Sequence, residues 1–264
     1  MSILEFSSLL FVIACFTGIF GVLTGLGGGI VIVPILTAFQ VDIHLAMGAS
    51  LISIITLSLS SSTTQTNQTF ANIPVGIFLE TAAVMGAITG ALLLPYLPIY
   101  LIAIVFGLVL QFSILSSVRQ PSRVDSQTTQ LQPRELSSFQ RPQLVKGWFT
   151  MGIAGILSGT LGIGSGTLKV LAMDRMLHLP YKVSTATSNF MVGITAAASV
   201  GIYYSKGYID PNLTFPVVLG VFFGALIGTK ILKIAKTQHL KKLFLGVIFI
   251  ISLQMLYKGI TGLI

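Results

Sequence analysis

Charge is what this sequence has least of. Of its 264 residues 8% are charged, 7 of them acidic and 15 Lys or Arg, whereas soluble domains carry about 25%. So few charges cannot solvate a chain of this length, which excludes an ordinary soluble enzyme. Cysteine is nearly absent too. Cys15 stands alone, so neither an intramolecular disulfide nor a multi-thiolate metal site can form. His44, His178 and His239 lie near the ends of apolar segments, with no carboxylate spacing that suggests a metal site. No G-x-x-x-x-G-K-[ST] stretch occurs, so ATP is not expected to drive a process through this chain. Neither a cofactor nor an enzymatic activity is expected.

Apolar sequence fills the space instead. Hydrophobic residues make up 53% of the chain, and runs near the length of about 20 residues that spans a bilayer recur. They cover approximately 5–24, 45–62, 73–94, 97–117, 144–161, 182–204, 211–232 and 243–262. The expected class is an all-α polytopic protein of the cell membrane, with the lipid bilayer as its main partner. The first run begins with Glu5, has no basic residue before it and no A-x-A site after it. It reads as a spanning segment rather than a cleaved signal.

The formal charge of +8 suggests nucleic acid, but the distribution of basic residues points elsewhere. Five of them (Arg119, Arg123, Arg134, Arg141, Lys146) fall in or beside a Ser-, Gln- and Pro-rich stretch, and five more crowd 230–242. Loops rich in Lys and Arg stay cytoplasmic, so a cytoplasmic polar linker over 118–143 is expected and nucleic-acid binding is not. The linker separates a first membrane repeat, 1–117, from a second, 144–264.

The two repeats match residue by residue. At an offset of 137, Gly18, Gly25, Gly27 and Gly29 fall on Gly155, Gly162, Gly164 and Gly166. At 138, Ser50 falls on Ser188, and "GAITG" at 86–90 meets "GALIG" at 224–228. The second pair reads as small-xxx-small helix packing. The first pair, "GLGGG" at 25–29 and "GIGSG" at 162–166, has more glycine than packing needs. Glycine-broken segments at matching places in two halves point to the binding site of a secondary transporter.

Charge also orders the repeats. If each glycine cluster merely interrupts a spanning helix, the fourteen basic residues other than Lys169 divide seven inside and seven outside. If each cluster is the tip of a hairpin returning to its own side, twelve lie inside, and only Lys206 and Lys258 lie outside. The positive-inside rule selects the second arrangement. Inverted repeats with glycine-broken, partly re-entrant helices are therefore expected, with 30–39 and 166–177 as short return legs and both chain ends outside.

Such tips have a chemistry. Irregular backbone at membrane depth must be buried in protein or line a polar cavity. A helix restarting after Gly29, and another after Gly166, would present free N–H groups and partial positive charge to an anion. Gly25, Gly27, Gly28 and Gly29, with Gly162, Gly164 and Gly166, would form the backbone of the cradle. The hydroxyls of Ser50, Ser165, Thr167, Thr187 and Ser188 and the Asn189 amide could donate further hydrogen bonds, or the Ser and Thr groups could serve neighbouring backbone. Lys169, three residues past Gly166, could attract the anion, or pair with Glu80 or Asp174. Glu80 is the carboxylate deep in an apolar run, either a coupling proton site or the partner of Lys169.

The stretches "GLGGGIVIVPIL" at 25–36, "GIGSGTLKVLAMDRM" at 162–176 and "ATSNF" at 186–190 resemble the sulfite exporter TauE/SafE family. Its members are small anion permeases with two repeated halves. The resemblance covers the chain outside the linker. It departs at Ser165, where the family often has glycine, and at Leu171, where the first copy has Pro34. It implies a membrane exporter of a small anion such as sulfite or an organosulfonate. The rival readings are an anion channel and a non-transporting membrane scaffold, and self-association into a homo-oligomer is compatible with all three.

Overall fold

The computed structural model describes residues 3–24, 28–65, 73–118, 141–177, 179, 181–234 and 238–262. Gly25, Gly27 and most of the linker lie outside these residues, as does the side chain of Thr167. Every long element among the described residues is an α-helix. The first half contains α1 (Ile3–Thr24), α2 (Gly29–Ala38), α3 (Ile43–Gln65), α4 (Ile73–Leu93) and α5 (Ile99–Val118). The second contains α6 (Arg141–Leu161), α7 (Gly166–Met176), α8 (Tyr181–Ser205), α9 (Pro211–Ile234) and α10 (Gln238–Thr261).

Eight of these helices coincide with the eight apolar runs. Among the described residues, α1, α3, α4, α6 and α9 are long and apolar enough to cross a membrane, for instance through Glu5–Val22 and Ile73–Tyr96. Their outward faces are greasy: Phe16, Leu59, Met85, Phe149 and Phe215 are exposed, as expected of surfaces that meet lipid rather than water. By contrast α8 is less apolar, because it turns Ser184, Thr187, Ser188, Asn189, Thr195 and Ser199 inward, all of them buried.

Exchanging αn for αn+5 reproduces the helix–helix contacts among the described residues. The α1–α9 pair corresponds to α6–α4, α3–α9 to α8–α4, and α2–α3 to α7–α8. The contact between α3 and α8, like that between α5 and α10, maps onto itself. In both self-paired contacts the helices run in opposite directions. Ser58 meets Asn189 while Met47 meets Tyr203; Gly107 faces Leu256 while Gly259 faces Ile104.

Small residues draw the exchanged pairs together. A Cβ on Gly86 would stand 2.9 Å from Ile156 N, and one on Gly228 would stand 2.9 Å from Ile19 O. "GAITG" and "GALIG" thus lie directly against the backbones of α6 and α1, the close approach that small residues allow between membrane helices.

The two short helices double back on their predecessors. Phe6 near the start of α1 meets Phe39 just past the end of α2, ring centroids 5.9 Å apart. Thr150 of α6 likewise donates to Met176 Sδ at the end of α7, at 3.3 Å. Lys258 of α10 donates to Thr37 O at 2.8 Å, placing a cation on the carbonyl end of α2, where the helix dipole favours it.

Candidate functional site

Both hairpin tips are closed by residues in the left-handed backbone region. Gly28 has φ 65° and Ser165, its counterpart at offset 137, has φ 46°. Glycine takes such angles freely, whereas serine pays a steric cost of about 1–2 kcal/mol. These two residues are the N-caps of α2 and α7, and neither helix is capped by a side chain. Each helix therefore directs first-turn N–H groups without intrahelical partners toward the tip region.

The tips converge on one methyl group. A Cβ on Gly29 would lie 2.6 Å from Ile54 Cδ1, and one on Gly164 would lie 3.1 Å from the same atom. Val192, which matches Ile54 at offset 138, borders Gly164 from α8 at 3.6 Å. Two uncapped helix N-termini from different halves are thus separated by little more than the Ile54 side chain.

The surrounding hydroxyls divide into two groups. Ser50 donates across the halves to Gly162 O at 2.7 Å, and Ser188 donates to Gly166 O at 3.1 Å. Thr187 donates to Val183 O at 2.7 Å in its own helix. These protons serve the backbone, and two of them hold the second tip in shape. Ser165 and Asn189 differ. Both are buried, and among the described residues Ser165 Oγ, Asn189 Oδ1 and Asn189 Nδ2 have no hydrogen-bond partner. Asn189 shares a helical face with Val192, one turn on, which packs against the tip. A buried amide without partners costs several kcal/mol unless something fills its bonding capacity.

Of the readings open for Lys169, the structure holds the pair with Glu80. Lys169 Nζ stands 2.9 Å from Glu80 Oε2, and both side chains are buried. The same ammonium donates to Met191 O at 3.3 Å and to Thr195 Oγ1, which in turn donates to Glu80 Oε1. An ammonium has three protons, and all three have acceptors here. Asp174 is not the partner of Lys169. The positions equivalent by the repeat, Ile32 and Leu57 in the first half and Val218 in the second, are apolar, so the ionic cluster has no twin among the described residues.

Gly28, Gly29, Ser50, Gly162, Gly164, Ser165, Gly166, Thr187, Ser188 and Asn189 are all buried, but the Thr187 methyl faces Gly76 of α4 rather than either tip. Thr167 contributes its place in the first turn of α7. Sequence reasoning missed Ile54 and Val192, the apolar pair between the tips, although the repeat offset links them. It also missed Thr195, which lies one helical turn past Met191 on the face of α8 that meets Lys169.

The comparisons with known proteins agree with this architecture. The sulfite exporter TauE/SafE family profile matches residues 10–255. The chain is 28% identical over 270 residues to the "probable membrane transporter protein YunE" of Bacillus subtilis, covering 96% of this chain and 98% of that one. It is 30% identical over 207 residues to YdhB of the same organism, a protein of the same description, covering 77% of this chain and 81% of the relative. A third relative with that description, MJ0441 of Methanocaldococcus jannaschii, is 24% identical over 271 residues, 94% of each chain. No solved structure matches significantly. Ten α-helices among the described residues, greasy outward faces and a profile match over nearly the whole length lead to one conclusion: this multi-pass membrane protein belongs to the sulfite exporter TauE/SafE family.

Proposed function

We propose that this chain is a secondary transporter, and specifically an exporter, of a small anion such as sulfite or an organosulfonate, bound between the tips of the α1–α2 and α6–α7 hairpins. The observation that carries this reading is the meeting of two uncapped helix N-termini at Ile54, with the Ser165 hydroxyl at one of them and the Asn189 amide one turn from Val192, which borders Gly164, both unpartnered among the described residues. Partial positive charge and N–H donors suit an oxyanion. The Lys169–Glu80 pair anchors α7 to α4, and the anion is held by dipoles rather than by a free cation.

The halves are inverted repeats and the hairpins re-entrant. Antiparallel self-paired helices support this, because a two-fold that reverses helix direction must run across the helices, hence in the membrane plane. The contacts of His44 with Tyr208 and of Thr37 with Lys258 also agree. They join the residues that the charge count assigns to the outer side. Every described site residue is buried, which supports a carrier that closes over its cargo rather than an open pore.

Reconstituted protein tests this directly. Liposomes preloaded with unlabelled sulfite should accumulate labelled sulfite transiently by counterflow. Flux without counterflow would indicate a channel, and no flux of any small oxyanion would indicate a scaffold.

A further inference from the structure

The bonding capacity of Asn189 constrains the ligand further. A fully deprotonated oxyanion offers acceptors only, and it suits the free N–H groups of α2 and α7. It cannot satisfy Asn189, whose amide presents a donor and an acceptor, both buried and both unpartnered among the described residues. This holds whichever way the amide is turned, since neither terminal atom has a partner. The carbonyl oxygen of Asn189 would face an anionic oxygen with no proton between them.

Net charge gives a second, independent constraint. The charged side chains near the tips are Lys169 on α7 and Glu80 on α4, paired with one another. Among the described side chains α2, α3 and α8 carry no Asp, Glu, Lys or Arg, Glu5 of α1 and Lys146 of α6 are exposed near their helix starts, and Asp174 lies toward the far end of α7. Among the described side chains the site therefore supplies no uncompensated cation against a second negative charge, and a buried dianion is far more costly than a monoanion.

We propose that the ligand is a singly charged oxyanion that retains an acidic O–H, which it donates to Asn189 Oδ1 while an adjacent anionic oxygen accepts from Asn189 Nδ2. The inference rests on the reading that anions bind between the tips; of the anions named there it selects sulfite in its singly protonated form over organosulfonates, which carry no O–H.

Two tetrahedral monoanions of similar size test it. Methylphosphonate below its second ionisation is CH3PO2(OH)⁻ and carries the hydroxyl; methanesulfonate, CH3SO3⁻, does not. Titration calorimetry on the purified full chain should give methylphosphonate about tenfold tighter binding or more, as expected when a buried acceptor is otherwise left unpaired. That affinity should fall as pH rises through the second ionisation of methylphosphonate. The methanesulfonate profile serves as the control for titration of the protein itself. Asn189→Leu, similar in size, should erase the preference between the two anions. Its melting temperature in the absence of anion should hold or rise, because two unsatisfied buried groups are removed. Equal wild-type affinities, or methylphosphonate binding that ignores pH, would overturn the inference and leave the anion site standing. A preference that survives in Asn189→Leu would overturn it as well. Absence of binding by both probes and by sulfite would remove the anion site itself, and this inference with it.

Discussion

Lys169 Nζ lies 2.9 Å from Glu80 Oε2, an ion pair that ties the return helix of the second half to a spanning helix of the first. Thr195 of α8 bridges the two, so three elements meet at one buried charge cluster. A lysine at the centre of a membrane helix costs about 2.5–3.5 kcal/mol on insertion scales. The cluster offsets that cost by giving each proton of the ammonium an acceptor.

Breaking the pair from one side should be severe. Lys169→Met leaves Glu80 buried without its cation, a change that costs about 3–5 kcal/mol in buried pairs. A large fall in melting temperature is expected, with most of it restored in Lys169→Met/Glu80→Gln. If the single variant is stable and has lost anion affinity, the lysine is a ligand instead.

Ser165 is predicted to trade stability for binding. Ser165→Gly relieves the left-handed backbone but loosens the unfolded chain, effects of about 1 kcal/mol each and opposite sign. Stability should change little while anion affinity falls through loss of the hydroxyl. Ser165→Ala keeps the strain and loses the same hydroxyl, so the two variants should bind alike and differ in melting temperature. Unchanged affinity in both would remove Ser165 from the site.

The tip carbonyl of Gly162 depends on Ser50 from the other half. Ser50→Ala should leave that buried acceptor unpaired and cost about 1–3 kcal/mol. It should also weaken anion binding by letting the tip shift. Thermal melting and anion titration on the same preparation measure both effects.

Gly164 has φ 72°, and a Cβ there would crowd Ile54. Gly164→Val should abolish transport, because a β-branched residue cannot adopt this angle without strain. A well-folded Gly164→Val protein with normal flux would mark the glycine cluster as a packing device.

Orientation in the membrane can be read by labelling. In a Cys15→Ala background, Lys206→Cys should react with an impermeant maleimide from outside intact cells. Ser126→Cys, in the linker, should react only after permeabilisation. The opposite pattern would reverse the topology derived from charge.

The solvent of this protein and its helices were legible in the sequence, because each depends on local composition. Eight apolar runs became eight helices, and "GAITG" and "GALIG" lie where small-residue packing requires. The left-handed position shared by Gly28 and Ser165 was half visible, since one copy keeps the glycine. Only the tertiary structure decided which partners the buried polar residues take. Ser50 and Ser165 are both buried serines near a glycine tip, yet Ser50 donates to Gly162 O while Ser165 has no partner among the described residues. Lys169 could have faced the anion, Glu80 or Asp174, and the packing of α7 between α4 and α8 brought it to Glu80. A hydroxyl or an ammonium takes the acceptor nearest to it, and that acceptor lies far away in sequence: 89 residues for Lys169 and Glu80, 112 for Ser50 and Gly162. Periodicity and propensity act over a few turns of helix, so they cannot choose among such partners; the packing of one half against the other does.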